Sequence, residues 1–91
     1  MTRIKTDMND FVDDRRYDRI RWHARRGLLE NDLILTRFLD AHLEGLEATE
    51  LGLLEELLRW SDNDLLDVLM GRNQCIDVRL VPLVQRIRAT Q

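Results

Sequence analysis

Cysteine, proline, serine and lysine are each present once in this chain, as Cys75, Pro82, Ser61 and Lys5. One cysteine rules out an internal disulfide. One proline and four glycines are too few for the many tight turns of an all-β domain. One serine leaves little material for a hydroxyl nucleophile, and Ser61 already reads as a helix cap. No apolar run approaches the ~20 residues of a membrane span, so direct membrane insertion is not expected. The N-terminus MTRIKTDMNDFVDD lacks the apolar core of a signal peptide, which makes the cytoplasm the default expectation.

What is present is leucine and charge. Apolar residues make up 44% of 91 residues and charged residues 34%, a balance that suits one solvated helical domain. Leu outnumbers Val and Ile, which favours helix over strand. The net charge of -3 argues against a general nucleic-acid coat. Its distribution is uneven. Six arginines (Arg15, Arg16, Arg19, Arg21, Arg25, Arg26) crowd into 15–26, while 40–67 carries nine acids against Arg59 alone. A molecule with two electrically distinct sides is expected.

Hydrophobic spacing predicts five short helices after a mobile tail over 1–14. The first runs over about 14–26 on a Tyr17–Ile20–Ala24 stripe, with Arg25 and Arg26 in its last turn and Gly27 as its left-handed cap. The second covers about 29–43, with Leu35, Phe38, Leu39, His42 and Leu46 on one face and Leu28 and Ile34 beside it. Gly45 breaks it. The third covers about 48–60 with Leu51, Leu54, Leu57 and Leu58 inward, and Gly52 reads as a close crossing point. Ser61 and Asp64 mark the start of the fourth, whose apolar side is Leu65, Leu66, Leu69 and Met70 and which Gly71 ends. A loop over 72–78 leads to a last helix beginning between 77 and 82, on Val81, Val84 and Ile87. The expected fold is all-α, a small five-helix bundle in a single domain over 15–91.

Chemistry is sparse. His23, His42 and Cys75 have no ligand-like spacing, so no metal site is expected. His23 reads as a surface residue and His42 as a border of the core. Cys75 has no nearby base. No glycine-rich loop cradles a phosphate, so the chain is not expected to hold a dinucleotide stably by itself. The helices around Gly27 allow an alternative, a helix-turn-helix-like DNA-binding regulator. The second helix, with Glu30, Asp32 and Asp40 around Arg37, is poorly suited to phosphates.

One stretch exceeds what bundle packing needs: Arg19-Ile20-Arg21-Trp22-His23-Ala24-Arg25-Arg26-Gly27-Leu28-Leu29-Glu30-Asn31-Asp32. On residue chemistry alone, Gly27 reads as a helix cap, Arg26 as a dipole-favoured cation and Glu30 as a first-turn anion. The stretch also resembles the R-G-x-x-E signature of the SdhE family, the FAD assembly factors of succinate dehydrogenase. Arg26, Gly27 and Glu30 fall on the motif, with Arg25 before it and Asp32 after. Arg19, Ile20 and Trp22 resemble family positions upstream. A second block, Leu57-Leu58 followed by Asp62, Asp64, Leu65 and Leu69-Met70-Gly71, resembles the family's second half. Val68 departs from it, since members often carry Trp there, and the first fourteen or so residues extend beyond the usual family start.

The resemblance covers roughly 17–88. It implies a five-helix, non-catalytic chaperone that binds the flavoprotein subunit of succinate dehydrogenase, and in bacteria of fumarate reductase. It implies that the chain promotes covalent attachment of FAD held by that partner. On this reading Trp22, Arg25, Arg26, Gly27, Glu30 and Asp32 form the partner-binding surface of a protein that is a monomer when free.

Overall fold

In a computed structural model, residues 15–75 and 77–91 are described; the expected tail over 1–14 lies outside them. Helix α1 spans 15–23 among the described residues. It ends before Arg25 and Arg26, not after them. Ala24 N–H still donates to Ile20 O at 2.9 Å, but Arg25 N–H donates to Trp22 O at 3.2 Å, a tightened last turn that closes the helix. Neither arginine therefore gains from a helix C-terminal dipole in the way the sequence suggested.

Helix α2, Leu29–His42, starts after Leu28, whose extended backbone (φ -85°, ψ 117°) sets the entry angle. Glu30 and Asp32 stand in its first turn, where anions are favoured. A single 3₁₀ turn, Leu43–Gly45, ends it. Helix α3, Ala48–Leu57, starts from Glu47, whose N–H donates to the Glu50 carboxylate at 3.1 Å. It stops three residues before the expected Trp60. Helix α4, Asp62–Leu69, has the expected cap: Ser61 Oγ accepts from Asp64 N–H at 3.3 Å. Gly71 follows it at φ +75°, the left-handed turn that glycine tolerates. Helix α5, Val81–Ala89, carries Pro82 in its first turn, where a missing N–H costs nothing.

These five helices contain no intervening strand among the described residues. Helix α5 touches α2, α3 and α4, and α2 also packs on α4. The buried apolar residues form one cluster centred on Leu35, Phe38, Leu54, Leu57, Leu65 and Ile87, each fully or almost fully enclosed. The expected stripes of α1 to α3 are buried, with Tyr17 packed against the rim. Met70 is a correction: it is 49% exposed, and Val68 takes the inward position on α4. Leu80, just before α5, and Leu83 join Val84 and Ile87 in the core, whereas Val81 of the expected stripe is only half-buried. His42 is half-buried with its ring 5.3 Å from that of Phe38, and His23 is exposed.

The two charged segments do not form separate sides. Arg16 makes a bidentate pair with Glu55 at 2.8 and 3.1 Å, Arg21 pairs with Asp40 at 3.1 Å, and Arg26 pairs with Asp62 at 2.7 Å. Basic and acidic runs that are distant in sequence meet across the bundle. Gly52 takes part in this contact. A Cβ there would come within 3.7 Å of the Arg16 guanidinium, so its neighbour is a side chain and not a crossing helix backbone.

Candidate functional site

The turn between α1 and α2 is built on a carboxylate from another part of the chain. Asp62, the first residue of α4, accepts from Arg26 Nε at 2.7 Å and Asn31 Nδ2 at 3.2 Å on Oδ1, and from Leu28 N–H at 3.3 Å on Oδ2. Asn31 Nδ2 also donates to the Asp62 backbone carbonyl at 2.9 Å. Arg26 chiefly, with Asn31 and the Leu28 N–H, holds the Asp62 carboxyl below the usual aspartate range against the opposing effect of desolvation.

Arg26 uses its whole fork internally. Nη1 donates to Leu58 O at 2.7 Å and to His23 O at 3.3 Å, and Nη2 donates to Trp60 O. Leu58 and Trp60 are the residues that follow α3, where carbonyls lose their helical partners. Arg26 thus caps α3, pairs with α4 and ties down the end of α1. Its side chain is 12% exposed. The family resemblance implied that Arg26 belongs to the partner-binding surface; in the folded chain its guanidinium faces inward and braces the turn.

The reading of Gly27 as a left-handed cap is corrected. Its φ is not positive, so it is no left-handed cap. A Cβ placed on it would meet only Asp62 Oδ2, at an ordinary 3.8 Å, and the residue is exposed. The fold of this chain therefore does not require glycine at position 27.

The other expected site residues lie outward along the same turn. Trp22 is 70% exposed at the end of α1. Arg25 and Glu30 are exposed and Asp32 is half-buried; none of the three has a side-chain hydrogen bond or ion pair among the described residues. Two further apolar residues, Leu29 at 63% and Leu33 at 48% exposure, lie one turn apart on α2. Their signal was present: they fall off the Leu35–Phe38–Leu39 stripe. Asn31 and Asp62 were missed as members of the site. Asn31 sits at i, i+4, i+7 with Leu35 and Phe38, a polar residue on a core face, and it is the one fully buried polar residue among those described.

No group of three or more potential metal ligands occurs among the described residues. No described helix is long and apolar enough to cross a membrane. Cys75 is half-buried and its thiol donates to Asp77 O at 3.5 Å. Among the described residues, Arg16, Arg21 and Arg26 are committed to carboxylates, which weakens the case for a DNA-binding helix.

Fold and site together describe a small all-α protein that presents an exposed turn, apolar at Trp22 and Leu29 and charged at Arg25 and Glu30, on an internally braced base. The chain belongs to the family described as the flavinator of succinate dehydrogenase, whose model matches residues 18–91. It is similar to the FAD assembly factor SdhE of Ralstonia nicotianae, with 41% identity over 88 residues covering 96% of this chain and 93% of that one. It is also similar to the proteins of that name from Pseudomonas aeruginosa, at 33% identity covering 84% and 90% of the two chains, and from Legionella pneumophila, at 34% covering 85% and 96%. No solved structure matches it.

Proposed function

We propose that this chain is a non-catalytic assembly chaperone that binds the flavoprotein subunit of succinate dehydrogenase and promotes covalent attachment of FAD to it. The flavoprotein subunit of fumarate reductase is a second candidate client. The observation that carries this reading is Gly27. An exposed glycine that neither φ nor internal packing demands fits a surface that a partner's backbone approaches closely. Trp22 and Leu29 beside it supply apolar anchors, and Arg25, Glu30 and Asp32 supply unspent charge for register.

On this reading the bond-forming chemistry stays with the partner and its cofactor. The chaperone contributes geometry. By binding one immature conformer of the flavoprotein more tightly than others, it raises the population in which the acceptor side chain and the cofactor lie within bonding distance. The chain needs no phosphate cradle for this, and none is assigned to it.

The test is covalent flavin on the flavoprotein subunit, read as in-gel fluorescence in cells lacking this protein. Loss of fluorescence is expected, with restoration by the wild-type chain but not by Gly27→Arg. Because position 27 is exposed with φ outside the left-handed region, Gly27→Arg should keep wild-type helicity by circular dichroism. Unchanged fluorescence in the deletion would reject the reading.

A further inference from the structure

We infer that Asp62 and Asn31 are positioning residues of the docking turn: they set its shape without touching the partner. The inference rests on the docking role proposed above and concerns which residues make that role possible.

The turn has no regular structure of its own to hold it. Residues 25–28 lie between α1 and α2, and Leu28, the N-cap position of α2, supplies no side-chain cap. Its N–H, a donor the helix cannot satisfy, is taken instead by Asp62 Oδ2. The same carboxylate holds Arg26 on one side of Gly27 and Asn31 on the other. Three contacts spanning residues 26–31 converge on one group. That fixes where the intervening Gly27, Leu29 and Glu30 point.

Asn31 is fully buried, and its Oδ1 accepts no hydrogen bond from the described residues. An unsatisfied buried amide oxygen is unfavourable, and leucine would fill an apolar helix face without that penalty. What asparagine adds is the pair of Nδ2 contacts to the Asp62 carboxylate and carbonyl. These fix the start of α2 against the start of α4 in register as well as in distance. The desolvated amide is understandable as the cost of that orientation.

Asp62 is 32% exposed at its side chain, but its oxygens are engaged from within. Trp22, Glu30 and Leu29 are the groups left facing outward. A positioning residue acts through such groups, and a double-mutant cycle detects the coupling.

The experiment measures binding of purified flavoprotein subunit to the full chain and to Asp62→Ala, Asp62→Asn and Asn31→Ala, at a temperature where all four are folded by circular dichroism. Asp62→Ala is expected to weaken binding at least tenfold. Asp62→Asn, which keeps one acceptor oxygen, should recover part of that loss. The Trp22→Ala penalty should be several-fold smaller in the Asp62→Ala background than in wild type, because a misplaced anchor has less to lose. Hydrogen exchange at the Leu28 amide should accelerate in Asp62→Ala while the amides of α5 stay protected.

Folded Asp62→Ala that binds like wild type overturns the positioning role, as do Trp22 and Asp62 penalties that simply multiply. If Asp62→Ala does not fold, Asp62→Asn and Asn31→Ala carry the same comparison. Absence of binding by the wild-type chain rejects the docking reading itself and the positioning role with it.

Discussion

Two glycines differ sharply in conformational need. Gly71 sits at φ +75°, with the Arg88 guanidinium over it. Gly27 has neither constraint. Gly71→Ala should therefore cost about 1–2 kcal/mol of stability, the price of an L-residue in a left-handed turn. Gly27→Ala should stay within about 0.5 kcal/mol of wild type. Urea denaturation of both variants checks the pair; a large loss at Gly27 would return that residue to a structural role. Arg26 offers a complementary case. Lysine keeps the charge but cannot reproduce a planar fork that reaches Asp62, Leu58 O and Trp60 O together. Arg26→Lys should cost about 1–3 kcal/mol, since it leaves part-buried acceptors unsatisfied. Its equilibrium unfolding midpoint should fall clearly below that of Gly27→Ala.

Among the elements, α4 matters most for its first residue. The Asp62 carboxyl is depressed in the folded state, chiefly by the hydrogen bond from Arg26. A depressed carboxylate contributes stability that is fully present above its unfolded value and fades as pH falls through the folded one. The wild-type chain should accordingly lose stability from about pH 4 downward, and Asp62→Asn should show a shallower acid limb in denaturation midpoints measured between pH 5 and pH 2. Glu55, depressed by its Arg16 pair, contributes a limb of the same sign that remains in that variant.

The helices themselves were legible because leucine spacing on α2 and α3 is regular and long enough to define a face. Their ends were less so. The last turn of α1 was misplaced because Arg25, Arg26 and Gly27 carry the local signature of a helix C-terminus, while the deciding interaction is an aspartate 36 residues away. The turn stood out in the sequence as a motif; its brace did not, because Asp62 drew notice only in the second block, with nothing to tie it to Arg26 or Asn31.

At the scale of the whole molecule, the charge segregation of the sequence resolves into ion pairs between neighbouring elements. Arg16–Glu55, Arg21–Asp40 and Arg86–Glu50 lie at or near the surface. Such pairs contribute little, about 0–1 kcal/mol each, and are screened by salt. The core dominates. Phe38→Ala, which removes a fully buried ring, should cost about 3–5 kcal/mol. Arg21→Ala should cost under about 1 kcal/mol. Thermal unfolding at low and high salt tests the ranking: the Arg21→Ala difference should vanish in high salt, and the Phe38→Ala difference should not.

The brace of the docking turn also has a consequence in time. The motif is translated early, but the carboxylate that shapes it belongs to residue 62. A nascent chain that has emerged only as far as Trp60 presents Arg26 and Leu28 without the Asp62 carboxylate they share. The braced form of the turn thus arrives late in synthesis, once the start of α4 has left the ribosome and folded back. A fragment truncated before Asp62 would carry the whole signature and still not display it correctly. The second half of the chain thus completes a turn whose residues the first half carries.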